Sequence, residues 1–172
     1  RIAAMGCHLL TGGGKGVMEA VARAFCRARG RRGLSIGILK GETHSRTTAS
    51  LDADAPLVHI AMEPNPWVEV PIYTHLALSG TEGRSLRSRN HINVLSADVL
   101  VALPGGAGTY SEVTLRIDYG RQVILYLGNH AIDDYTASHF CALARYEGQV
   151  TAAGDAADLE ERLRAQLNAG SG

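Results

Sequence analysis

One stretch limits what this chain can become. The apolar run Val99-Leu100-Val101-Ala102-Leu103 ends in Pro104-Gly105-Gly106-Ala107-Gly108-Thr109-Tyr110-Ser111-Glu112 and then passes into Val113-Thr114-Leu115-Arg116-Ile117, which has helical character. A buried strand that ends in a glycine loop and opens a helix is a building block of parallel α/β sheets. The loop offers unpaired backbone N–H groups, and the helix N-terminus adds partial positive charge. Gly105, Gly106 and Gly108 let an anion approach the main chain closely. Thr109 can donate its hydroxyl to a phosphate or cap the helix. Glu112 falls one turn into the helix, beside whatever the loop holds.

The same arrangement occurs earlier. His8-Leu9-Leu10-Thr11 leads into Gly12-Gly13-Gly14-Lys15-Gly16, followed by Ala20, Val21, Ala24 and Phe25 at helical spacing. It is neither a Walker loop nor the dinucleotide fingerprint, because neither spacing is met. Each cluster alone reads equally well as a tight turn. Two of them at strand-to-helix junctions define a ligand site, because ligands collect at the carboxyl ends of parallel strands. Gly12, Gly13 and Gly14 join Gly105, Gly106, Gly108 and Thr109 as candidate phosphate-binding residues.

The rest of the chain alternates in the same way. Strands are expected at Leu34–Leu39, Leu57–Ile60, Val70–Tyr73, Asp98–Leu103 and Gln122–Leu127. Helices are expected from the first glycine cluster to Arg29, from Thr81 through Val94, over Ile132–Tyr146 and over Asp155–Leu167. Lys40–Pro56 reads as a long polar loop, and Val70–Tyr73 as an edge segment because Pro71 lacks an N–H. The expected fold is α/β, a Rossmann-like doubly wound parallel sheet in a single domain over residues 1–172. Residues 1–7 read as the end of a helix feeding the strand at His8, so a leading βα unit is expected before them.

Several function classes are disfavoured. The formal net charge is zero and the pI is about 7.2, which argues against a general nucleic-acid binder. No apolar stretch reaches membrane-spanning length, so no membrane partner is expected. Cys7, Cys26 and Cys141 are widely spaced, which suits reduced thiols in a cytoplasmic protein. The histidines show no ligand spacing, so no metal site is expected. Trp67 can cover a flat ligand ring or simply pack. Lys15 and Lys40 are the only lysines, and neither has the context of a pyridoxal phosphate site.

The cluster at Gly12–Met18, the pair Arg89-Asn90 and the complete Pro-Gly-Gly-x-Gly-Thr-x-x-Glu motif at Pro104–Glu112 together resemble the LOG ("lonely guy") superfamily, long mislabelled as lysine decarboxylases. The resemblance runs from the opening segment to about Leu127. It implies a Rossmann-like fold, a homodimer, and hydrolysis of nucleoside 5′-monophosphates, including cytokinin nucleotides, to free base and ribose 5-phosphate. No cofactor would be required. Glu112 matches the motif's catalytic glutamate, and Arg89 the arginine of the family's Arg-Lys pair. Asn90 stands where that pair has lysine, and Leu86-Arg87 replaces the usual Met-His. The Arg-Asn form, with Asn65-Pro66-Trp67 upstream, is closer to a sister branch that includes molybdenum cofactor carriers. The alternative is therefore a non-catalytic carrier of that phosphorylated pterin. From the residues alone, Glu112 can equally complement the helix dipole, Arg89 can form a structural salt bridge, and Asn90 can satisfy buried backbone.

Overall fold

A computed structural model describes residues 1–42, 59–60 and 63–169. The elements run β1 (Leu9–Thr11), α1 (Val17–Cys26), β2 (Ser35–Leu39), β3 (Gly41–Glu42), β4 (His59–Ile60), β5 (Val70–Tyr73), α2 (Asn90–Ser96), β6 (Leu100–Ala102), α3 (Ala107–Asp118), β7 (Val123–Leu125), α4 (Ala137–Ala142), β8 (Val150–Ala152) and α5 (Ala156–Ala169). Among the described residues, β1-β2-β5 and β6-β7-β8 form two three-stranded parallel sheets, and β3 pairs with β4 antiparallel. Register is set by pairs such as Leu9↔Ser35, Ile36↔Val70, Leu100↔Val123 and Val123↔Val150.

The second sheet shows why the fold is doubly wound. Val123, Ile124 and Leu125 of β7 are wholly buried, as a strand covered on both faces must be. Alternation sends Val123 and Leu125 to one face, where they pack with Val113 and Ile117 of α3 and Phe140 of α4. Ile124 points the other way, onto Leu159 and Leu163 of α5. Each such side chain contributes about 1.5–3 kcal/mol by leaving water. In the first sheet, Leu9 packs with Ala22 and Phe25 of α1, where Trp67 joins the cluster.

Three expectations change. No continuous helix runs from Thr81; a 3-10 turn at Gly80–Glu82 precedes α2, which begins only at Asn90. Gly83 explains the interruption. A Cβ there would meet Ser111 Oγ at 2.0 Å and Asn90 Nδ2 at 2.4 Å, so this turn is pressed against α3 rather than wound into a helix. Ile132–Tyr146 holds only the six-residue α4. Asp133 and Asp134 adopt φ of 49° and 67°, and Ile132 and Tyr135 exchange both backbone hydrogen bonds at 2.9 Å, a tight turn that excludes helix. Between the last two helices the sequence offers only a short segment, Gln149-Val150-Thr151; in the structure β8 there is a full strand, paired in parallel with β7. Most of the Lys40–Pro56 loop, and residues 57–58 of the next expected strand, lie outside the described residues. No described helix is long and apolar enough to cross a membrane.

Candidate functional site

The first glycine loop leaves β1 at Thr11, whose Oγ1 accepts a hydrogen bond from Gly13 N at 3.1 Å. Buried Asn65 clasps the loop from behind: its Nδ2 donates to Gly13 O at 3.1 Å and Gly14 O at 2.8 Å. Gly13 and Gly14 therefore present their carbonyls to Asn65. Gly12 lies against Arg89, and a Cβ at Gly12 would sit 2.4 Å from Arg89 Nη2. A side chain at position 12 would displace the guanidinium.

Arg89 directly precedes α2 and is only 7% exposed. Its Nε and Nη1 are buried without a hydrogen-bond partner among the described residues. Burial depresses its pKa, and the nearby Glu112 charge opposes that effect. Buried donors of this kind normally have partners. Two unpaired N–H-bearing atoms on one guanidinium make a forked anion receptor.

Glu112 sits on α3 and keeps part of its surface toward the groove. The surrounding protein nevertheless pushes its carboxyl above the usual range; Asn93 and Arg89 pull the other way. Asn93 Nδ2 donates to Glu112 Oε1 at 2.8 Å, and Asn93 Oδ1 is buried without a partner among the described residues. Arg89 and Glu112 feel each other's charge without a contact ion pair among the described residues. At the start of α3 Gly106 is the N-cap, and no side chain caps the helix. The N–H groups of Ala107, Gly108 and Thr109 fall in the first turn, where a helix has no internal acceptors.

Asn90 is held inside the protein. Its Nδ2 donates to Ser111 Oγ at 2.7 Å, and Ser111 Oγ donates on to Gly108 O at 2.8 Å. This chain of bonds ties α2 to the second glycine loop. Arg89, Asn90, Glu112, Gly12, Gly105, Gly106, Gly108 and Thr109 all line one groove of about 1010 Å³, with Lys15 beside them. Gly13 and Gly14 support it from outside. Trp67 packs in the α1 cluster with Arg27 5.0 Å above its ring, away from the groove. His91 is engaged by Tyr119 Oη at 2.6 Å and Ser85 O at 3.0 Å. Helical spacing places Asn93 with Arg89 and Asn90, as a residue able to bond ribose or base or to satisfy buried backbone, and Asn65 stands in the Asn65-Pro66-Trp67 segment; the structure instead gives Asn93 to Glu112 and Asn65 to the carbonyls of the first glycine loop.

The SLOG cluster4 family model matches residues 1–158. The chain belongs to the SLOG cluster4 family. SLOG denotes the LOG-like superfamily, so the superfamily resemblance and the Rossmann-like fold both hold. Two solved structures are similar to this SLOG chain. One is the molybdenum cofactor carrier protein of Chlamydomonas reinhardtii, at 28% identity over 97% of this chain and 81% of that chain, with a TM-score of 0.64. The other is the molybdenum cofactor binding protein of the phototrophic bacterium Rippkaea orientalis, at 29% identity over 96% of this chain and 81% of that chain, with a TM-score of 0.62. No protein with a curated description matches.

Proposed function

We propose that this SLOG protein binds the phosphate of a nucleoside 5′-monophosphate and hydrolyses its N-glycosidic bond. The observation that carries the reading is the buried Arg89 guanidinium near Glu112, whose Nε and Nη1 have no partner among the described residues. Arg89 and the first N–H groups of α3 hold the phosphate. Burial raises the Glu112 carboxyl above its ordinary range, which makes it a better proton acceptor than a free glutamate. Glu112 takes a proton as water attacks the anomeric carbon. The carbon–nitrogen bond breaks, its electron pair leaves with the base, and the proton follows from Glu112. The developing cationic sugar is stabilised by the same carboxylate. The products are free base and ribose 5-phosphate.

A second reading, a non-catalytic carrier with molybdenum cofactor as cargo, is favoured by Asn90. Where a second cation would stand, this chain has an amide committed to Ser111. Both solved relatives described above are named for that cofactor. The shared requirement is a phosphate seat. Incubation with a panel of nucleoside 5′-monophosphates, followed by chromatography for free base and ribose 5-phosphate, separates the two. Base release by the parent and none by Glu112→Gln supports hydrolysis. No release by folded parent overturns it and leaves carriage, which co-purifying molybdenum and pterin fluorescence would then report.

A further inference from the structure

The second glycine loop is held from the side away from the groove. Beyond β6 the parallel pairing toward β7 continues as a bridge between Gly105 and Ile132. Next to it, Asp133 N–H donates to Gly105 O at 2.8 Å. The peptide joining Gly105 to Gly106 is trans, and in a trans peptide C=O and N–H point in opposite directions. Tying Gly105 O to the β7 side therefore turns Gly106 N–H to the other side of the loop. Gly105 and Gly106 line the groove there with Gly12 and Arg89, whereas residues 132–135 do not. Gly106 N–H has no hydrogen-bond partner among the described residues.

The clamp is built from unfavourable backbone. Ile132 and Tyr135 exchange their hydrogen bonds across Asp133 and Asp134. A two-residue connection of this kind needs φ above zero at both central positions, and glycine normally fills at least one of them. Here both are aspartate, at φ of 49° and 67°, and among the described residues no other non-glycine residue has positive φ. Both ends of the turn are anchored. Ile132 is wholly buried with Val113 and Phe140. The Tyr135 ring lies 4.2 Å from that of His139 on α4 and 5.0 Å from that of Tyr110 on α3. Tyr110 N–H in turn donates to Gly106 O at 3.1 Å. One turn thus grips the glycine loop at Gly105 and the first turn of the helix it opens. Left-handed non-glycine backbone persists where its surroundings over-determine it, and such positions cluster at ligand clamps.

We propose that the turn at residues 132–135 is a positioning element of the phosphate seat. It holds the Gly105 carbonyl so that Gly106 N–H points at the anion gripped by Arg89. The inference rests on the phosphate-binding part of the function proposed above, which hydrolysis and carriage share. The turn acts through the loop, since its own residues lie outside the groove. What it supplies is preorganisation: a donor already aimed needs no rearrangement when the anion arrives. Turn and seat are then coupled, and coupling between sites is reciprocal. The bound anion must steady the turn as the turn steadies the seat.

The test uses ribose 5-phosphate as probe, with affinity read by titration calorimetry and the Gly106 amide proton by NMR. Two double variants remove the same two carboxylates. Asp133→Gly with Asp134→Gly accepts the left-handed backbone. Asp133→Val with Asp134→Val does not, because β-branched residues are outliers there. The glycine pair is expected to bind as the parent does. The valine pair is expected to bind at least about tenfold more weakly, the loss of one hydrogen bond to a charged group, and its Gly106 amide no longer shifts downfield on titration. Two results overturn the proposal: both pairs binding like the parent, or both weakened alike, which assigns the effect to charge. If the valine pair does not fold, hydrogen exchange in the parent decides. Ribose 5-phosphate must slow exchange at the Asp133 amide as well as at Gly106; slowing at Gly106 alone refutes the coupling. A parent that binds the probe but releases no base from nucleotides overturns hydrolysis and not the turn's role. A parent that binds no ribose 5-phosphate overturns the seat, and this inference with it.

Discussion

Gly12→Ala tests how closely the site depends on the contact between the first loop and Arg89. The new Cβ would lie 2.4 Å from Nη2 and 2.6 Å from Nη1. Ordinary contact begins at 3.4 Å, so the guanidinium must retreat by 3.4 − 2.4, or about 1 Å. The far end of an arginine moves readily, but this one is only 7% exposed. Overpacking of this kind costs about 1–3 kcal/mol. A misplacement of about 1 Å in a positioning group reduces turnover by about a hundredfold. The expected result is a modest fall in Tm and a far larger loss of ribose 5-phosphate binding by titration calorimetry. Gly154→Ala is the control, since a Cβ there meets only Asp158 Oδ2 at an ordinary 3.9 Å, the position is exposed and outside the groove, and its stability should change by no more than about 0.5 kcal/mol. Gly12→Ala binding ribose 5-phosphate as tightly as the parent would show that Arg89 does not hold the anion.

Three further outcomes are expected. Asn93→Ala removes the donor to Glu112 Oε1, so the Glu112 carboxyl rises further and the pH–rate profile for base release moves to higher pH; an unmoved profile contradicts the assignment. Because burial raises the folded-state pKa of Glu112, the folded protein holds that proton more tightly than the unfolded chain does. Stability contributed by this group is then present below the ordinary glutamate range and lost as pH rises through the raised value, which urea titrations of the parent against Glu112→Gln at pH 4 to 8 will show as a gap that changes with pH. Arg116→Met strips the shared donor from Val94 O, Ala97 O, Asp98 O and Gln122 O; leaving such carbonyls unsatisfied costs at least about 3 kcal/mol, measured by urea unfolding.

Much of this architecture was legible in the residues. β7 is a continuous apolar run, and such runs are the signature of strands buried on both faces. The glycine loops announced themselves because few residues tolerate close backbone approach. The helices flanking Arg89 were less visible. Gly83 is dictated by Ser111, distant in sequence, and the Asp133-Asp134 turn by a bridge to Gly105. Neither partner can be inferred from local pattern. Asn65 was equally hidden, because its role depends on carbonyls of a loop about fifty positions earlier. Glu112 and Arg89 could be chosen from the motif, but their mutual charge and their burial belong to the fold.

Arg116 sits one turn beyond Glu112 on the same helix, facing away from the groove. Its guanidinium holds the last carbonyls of α2 and the start of the turn into β6, and burial lowers its pKa to about 10. One residue thus fixes how α2, which carries Asn93, is set against α3, which carries Glu112. A selection that scores only chemistry would rank Arg116 beside the groove residues, although it touches none of their ligand. For anyone transplanting this site into another scaffold, the smallest portable unit extends through Arg116 rather than ending at Glu112.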